Sequence, residues 1–513
     1  MSTTATPQVI ECELVIVGAG SAGCALAGRL RARGQHRIVL LEQGPDPVGW
    51  PEQRRVGLAD AGRLDAAYDP ASSGGDPVQL GGARTAELRR GRVLGGSSAV
   101  NGTYFVHARP EDVDRWAAHT GGRWRTDLVA GAVERLERDL DFGGRGGHGS
   151  DGPMPVARDR STSVVTDTFF AACSVAGYLE LEDLNGAGPA EGFGLVPRNT
   201  VDGHRVSAAE AYLGPLSADR DLVVHSSTTV DRLIVERGRV RGVLATGPDG
   251  TLVVHAPQVV VCAGAIGSPR LLARSGLGPA PAPGGGAGPW VADLPGLGAA
   301  VWNHPCVELT YLPRPGVVDP GANGFLQGAL HVGGIEVLAT RLPYGVVTGR
   351  EPDDERLSLR VTLMTPLGRG ELDPTHQGAG LRHDPLAHEA DRAALRDAVR
   401  AVAGLARGAE LAAVIEQWFG PSAAELRDDR LLDDWMRERV GFAFHLGGSC
   451  PVGADPRHGA VVDSGFWVHG VDGLRVVDTS VLPVPLSRGP AASAVLLGEL
   501  AADELSGSTS STS

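Results

Sequence analysis

Apolar residues recur along this chain in two rhythms, and the first 42 positions carry both. Residues 13–17, ELVIV, form a short β-branched run that stops at Gly18, and the following SAGCALAGRLRARG is small-residue-rich with helical apolar spacing. A second apolar run from Arg37 to Leu41 ends at Glu42, closing a strand–helix–strand unit of about 30 residues, the length a parallel crossover needs. Between 222 and 262 the runs LVVHSSTTVDRLIVE, RVRGVLAT and TLVVHAPQVVVCAG predict antiparallel strands, with a turn at Pro248–Asp249–Gly250. Over 390–407, Leu395, Val399, Val402 and Leu405 fall at helical spacing. Ser422 with Glu425 forms a capping box, predicting a helix through about Arg439. Ala491 to Leu505 predicts a last helix with Pro490 in its first turn, where proline is tolerated. Glycine-rich stretches at 143–152 and 279–289 predict loops or linkers, and 506–513 a disordered tail.

The turn between the first strand and helix reads Gly18-x-Gly20-x-x-Gly23. Gly18 permits the tight turn and Gly20 lets backbone approach a pyrophosphate at the helix start, beside Ser21 and Ala22. Gly23 lets helix and strand pack, and Glu42, at the end of the next strand, can accept ribose hydroxyl hydrogen bonds. A glycine-rich turn alone would explain an isolated motif; strand, helix and acid together predict an adenine-dinucleotide site.

Composition narrows the partners. With 513 residues the chain exceeds one hydrophobic core, and its net charge of −14, unrelieved by a basic cluster, argues against nucleic acid. All 47 basic residues are arginine, a codon bias rather than a functional signal. The N-terminal residues lack a basic, apolar leader and no long apolar run follows, so a cytoplasmic chain without a transmembrane segment is expected. Six scattered cysteines lack metal-like spacing, so reduced, buried thiols are expected, with neither disulfide nor metal.

Residues 91–102, GRVLGGSSAVNG, resemble the first signature of the glucose-methanol-choline (GMC) oxidoreductases, which are FAD enzymes, and 264–278, GAIGSPRLLARSGLG, resemble the second. Similar stretches occur at 205–213, 293–305 and 468–478, so the resemblance spans nearly the whole chain. It implies a Rossmann-like, doubly wound FAD-binding domain drawn from 1–150, 200–305 and 440–505, and an α+β substrate domain of antiparallel sheet plus helices from 150–200 and 306–440. Arg92, Val93, Gly95, Gly96, Ser97, Asn101, Val230, Gly264, Asp478, Pro490 and Ala491 would then join the fingerprint in holding FAD. Some members tether the flavin through a histidine where this chain has Val100, so non-covalent FAD is implied.

His445, in FHLGGSC, looks like the family's active-site histidine, with Leu446 in place of the common proline. A histidine suits alcohol oxidation because it can take the hydroxyl proton near neutral pH while hydride leaves the carbon for flavin N5. His304 and His469 are read as structural or loop histidines. The family's second catalytic histidine or asparagine aligns with Gly489, so His445 works alone, or Ser487 or Arg488 supplies the missing bond, or the substrate does. The segment Arg488 to Ala492 is similar to the GMC subgroup that accompanies mycofactocin, which implies reduced mycofactocin as donor and a respiratory electron acceptor as partner. The expectation is an FAD-dependent dehydrogenase acting on CH–OH groups. Its alternatives are an ordinary GMC alcohol dehydrogenase or oxidase on a small alcohol, a redox-silent FAD lyase, and a non-catalytic flavin-binding protein.

Overall fold

The computed structural model describes residues 7–280, 290–319, 321–322, 324–351, 354–376 and 380–507. Most of the 279–289 stretch and the tail beyond Gly507 lie outside the described residues, whereas Ser506 and Gly507 continue the last helix instead of starting a tail.

The N-terminal unit forms as its pattern dictates. Strand Leu14–Val17, helix Ser21–Ala32 and strand Ile38–Leu41 build the centre of a five-stranded parallel sheet, ordered Leu222–His225, Ile38–Leu41, Leu14–Val17, Gln258–Val261, Leu474–Val476. Its three central strands are buried along their length apart from Gln258, as strands covered on both faces must be. The 222–262 region departs from expectation. Only Thr229–Glu236, Arg239–Gly247 and Gly250–His255 form the antiparallel meander, while the flanking Leu222–His225 and Gln258–Val261 join the parallel sheet. Short apolar runs carry no mark of which neighbour they pair with.

A second, largely antiparallel sheet is ordered Ile415–Trp418, Pro305–Pro313, Leu357–Leu363, Ile335–Thr340, Leu326–Val332, Gly192–Leu195, and Gly441–Phe442 pairs with Pro305–Pro313. Helix Glu389–Arg407 buries Leu395, Val399 and Val402 against it, the face its spacing predicted. The Ser422–Glu425 capping box is present, but its helix stops at Arg427. Asp428 then accepts hydrogen bonds from the amides of Arg430 and Leu431 and caps a separate helix, Asp429–Arg439. The architecture is thus α/β, a doubly wound parallel sheet joined to an antiparallel sheet with helices. The six cysteines are buried free thiols.

The helix Ala491–Gly507 lies against Ser21–Ala32 at very short range, because a β-carbon on Gly498 would stand 2.4 Å from the Ala22 carbonyl oxygen. Arg29 of Ser21–Ala32 and Tyr212 of helix Ala208–Leu213 both reach the buried Glu499, at 2.7 Å each, and tie the three helices together. Pro490 precedes this helix rather than entering its first turn, and its carbonyl accepts the Ala494 amide. The 143–152 stretch is more than a linker. Its His148 is buried between Glu137, Asp139 and Asp183, with Arg158 paired to both aspartates. Among the described residues no helix is long and apolar enough to cross a membrane.

Candidate active site

A cavity of about 700 Å³ runs from the fingerprint turn to His445. At one end Gly18 holds φ +101°, and a β-carbon there would stand 2.5 Å from the Cys262 carbonyl oxygen. The signature loop packs directly on the fingerprint loop: a β-carbon on Gly96 would meet Gly20 Cα at 2.7 Å, and the Gly95 amide donates to the Ala19 carbonyl at 2.8 Å. Helix Ser21–Ala32 starts at this point without a side-chain cap, so its amides and positive dipole end face the cavity. Glu42 accepts the Ala19 amide at 2.9 Å and the Gly44 amide at 2.8 Å. Burial pushes its carboxyl up to about 7 despite these two donors.

These features suit FAD. A cradle in which side chains would collide, an uncapped helix start for the pyrophosphate and a fixed carboxylate for ribose hydroxyls are the parts a dinucleotide needs. Of the residues assigned to FAD from the sequence, Gly18, Gly20, Ser21, Ala22, Glu42, Arg92, Gly96, Ser97, Asn101, Val230, Gly264, Asp478, Pro490 and Ala491 line the cavity. Gly23, Val93 and Gly95 stand behind it. A β-carbon on Gly23 would meet the Gly18 carbonyl, and Val93 packs on Ala99 and Val100. Asp478 ties elements together, accepting the Gly264 amide at 2.9 Å, the Ser268 hydroxyl at 2.5 Å and the Ser480 amide at 2.8 Å.

At the other end, Trp302 and Gly447 exchange backbone hydrogen bonds, and this antiparallel register sets His304 opposite His445. Their Nδ1 atoms lie 2.8 Å apart. Asn303 holds both, its Oδ1 accepting the His304 and His445 amides at 2.9 Å each. Phe444 takes φ +63°, a strained value for a bulky residue, and Arg90 donates to its carbonyl at 2.6 Å. Burial lowers the pKa of His304 to about 4 and drives that of His445 well below 6.5, His304 adding to the latter effect.

Gly489 borders this end, while its neighbours are engaged elsewhere. Ser487 donates to Asp112 at 2.7 Å, and Arg488 donates to the carbonyls of Ser487 and Ala190. A β-carbon at 489 would lie 3.1 Å from the Tyr104 ring and 3.5 Å from His445 Cε1. The space in front of Gly489 is therefore Tyr104's. His469 is structural as expected, its Nε2 bonding the Gly453 carbonyl. His304, Asn303, Tyr104 and Glu336 escaped the sequence reading. Glu336 carried a usable signal, a lone acid within the apolar run IEVLAT.

The family comparisons agree with this geometry. The N-terminal GMC oxidoreductase model matches residues 12–306 and the C-terminal one residues 367–498. An uncharacterised GMC-type oxidoreductase of Rhodococcus erythropolis is 32% identical, over 96% of this chain and 98% of its own. An oxygen-dependent choline dehydrogenase of Escherichia coli is 30% identical, over 97% and 96%. Among solved structures, pyridoxine 4-oxidase from Mesorbium loti superposes with a TM-score of 0.84 at 27% identity, over 97% of this chain and 99% of that one. An FAD-dependent oxidoreductase from Chaetomium thermophilum, at 20% identity and TM-score 0.80 over 97% and 100%, shares the fold. The chain belongs to the GMC oxidoreductase family, whose members bind FAD.

Proposed function

We propose that this protein oxidises a CH–OH donor with His445 as the proton acceptor, on FAD held non-covalently along the cavity, and that it works as a dehydrogenase. FAD, when bound, supplies the hydride acceptor. The observation that carries the reading is the contact between buried His304 and His445, which opens on the end of a dinucleotide-shaped cavity. Two neutral imidazoles sharing a 2.8 Å contact need one donor and one acceptor. When His445 Nδ1–H donates to His304 Nδ1, the lone pair of His445 is left on Nε2 and can take a hydroxyl proton. His304 then carries its own proton on Nε2. The opposite tautomer would turn His445 Nε2 into a donor, unable to act as base.

The remaining parts follow from the chain. The parallel-sheet side, with the fingerprint, is the FAD-binding part, and the antiparallel sheet walls the donor's space through Glu336, Leu338, Arg360 and Thr362. Val100 offers no nucleophile where a tether would form, so acid precipitation should release the flavin. The resemblance of Arg488 to Ala492 to the mycofactocin-associated subgroup supports reduced mycofactocin as the donor, with a small alcohol as the competing one and a respiratory protein as electron acceptor.

The test is anaerobic absorbance of the purified holoenzyme as reduced mycofactocin and simple alcohols are added. Bleaching by mycofactocin alone, reoxidised by a dye far faster than by air, supports the full reading. Bleaching by simple alcohols moves the donor to that class, and rapid reoxidation by air makes the protein an oxidase. Bleaching by no donor removes the redox reading in favour of a lyase or a flavin-binding protein.

A further inference from the structure

Tyr104 and Glu336 of the cavity lining form a polar cluster with His331, in which Glu336 and His331 are buried and none takes the substrate proton. His331 and Glu336 face each other across the hairpin of Leu326–Val332 and Ile335–Thr340. Tyr104 donates to Glu336 Oε2 at 2.5 Å, and His331 Nε2 lies 3.1 Å from the same oxygen and 3.2 Å from the Tyr104 hydroxyl. Oε2 is therefore fully used. Among the described residues no hydrogen bond reaches Oε1, although Glu336 lines the cavity together with Tyr104 and His445.

The nearby cations are occupied elsewhere. Arg360 pairs with Glu308 at 2.9 Å, Arg90 donates to the carbonyls of Arg89 and Phe444, and Arg488 donates to those of Ser487 and Ala190. Burial alone would raise the Glu336 carboxyl, but the bonds from His331 and Tyr104 hold it down to about 2, so it stays an acceptor. With Oε1 open to the cavity, a ligand's donor group can bind it without breaking a bond already made. The phenol oxygen of Tyr104, its proton committed to Glu336, is a second acceptor, on the side chain that fills the space in front of Gly489.

We propose that Glu336 and Tyr104 form a subsite that binds a second hydrogen-bond donor on the alcohol, a hydroxyl or ammonium group. It selects diols and amino alcohols over simple alkanols and hydroxy acids. This deepens, and rests on, the alcohol-oxidation reading. Glu336 and Tyr104 orient the donor molecule while His445 takes the proton.

The test uses the holoenzyme and linear diols, amino alcohols, alkanols and hydroxy acids of two to six carbons, with anaerobic flavin bleaching as readout. A second readout is independent of turnover: perturbation of the oxidised flavin spectrum by inert alkylammonium and alkanoate ions, giving Kd. Glu336→Gln and Tyr104→Phe are compared with wild type. The expected result is a kcat/KM at least tenfold higher for the best diol or amino alcohol than for its alkanol, a difference shrinking at least fivefold in Glu336→Gln. Alkylammonium binding should weaken at least tenfold in that variant, because charge-assisted hydrogen bonds are roughly twice as strong as neutral ones. Equal bleaching by all alcohols, with variants unchanged, overturns the subsite and leaves alcohol oxidation standing. No bleaching by these donors or by reduced mycofactocin, with alkylammonium binding that Glu336→Gln weakens, keeps the subsite and overturns the alcohol reading. No bleaching and no selective binding overturns both.

Discussion

His304 and His445 meet through their Nδ1 atoms at 2.8 Å, because the Trp302–Gly447 backbone pairing places them opposite one another and Asn303 fastens both amides. The pair fixes which nitrogen of His445 is left free for substrate. His445→Ala should therefore lower the anaerobic bleaching rate by about 10²- to 10⁴-fold, the usual worth of positioned acid–base catalysis, with FAD content unchanged. His304→Ala should lose most of the same rate, while His304→Asn, which can still accept from Nδ1–H, should keep more. Rapid-mixing absorbance on the purified variants measures both.

The pH behaviour follows from burial. Both histidines have depressed pKa values, about 4 for His304, so the folded protein binds fewer protons than the unfolded chain between pH 4 and 6.5. Stability contributed by this pair is present above pH 6.5 and is lost as pH falls toward 4. The bleaching rate should show no inflection at the ordinary histidine pKa near 6.5. Urea unfolding midpoints and bleaching rates measured from pH 4.5 to 8 check the two statements separately.

Glu42 predicts a different pH signature. Its carboxyl, raised to about 7 by burial, must be ionised to accept two backbone amides and a ribose hydroxyl together. Adding FAD to the apoprotein should release protons near pH 7, and affinity should fall as pH drops below that value. Calorimetry in buffers of different ionisation heat measures the release, and Glu42→Gln should abolish it.

A stability prediction concerns His148. Burial opposes its charge, but Asp139, Asp183 and Glu137 outweigh that and raise its pKa to about 11. Its contribution is full below pH 6.5 and fades as pH rises toward 11. His148→Gln leaves buried carboxylates undercompensated and should cost about 3 to 5 kcal/mol in equilibrium unfolding at pH 7.

Sequence pattern and structure agree best where a local rule has a local cause. The strand, glycine turn, helix and acid of residues 13–42 need only neighbours in sequence, and the structure has them all. The pattern of Leu222–His225 does not tell its parallel pairing from an antiparallel one, because its partner is Ile38–Leu41, far away in the chain. His148 looked like part of a linker because glycines surround it, yet it is the carboxylates on Glu137, Asp139 and Asp183 that bury it. His304 is not marked in the sequence for the same reason: its partner lies 141 residues away. Gly489 was legible as a missing side chain, but Tyr104's occupation of that space was not.

Hydride removal from a carbinol carbon with His445 as base is read by anaerobic stopped-flow absorbance with a donor deuterated at that carbon. Flavin bleaching should be slowed several-fold by deuterium in wild type, and slowed far more in His445→Ala with FAD content unchanged. Bleaching insensitive to both the isotope and the variant, or its absence with every donor, would contradict it.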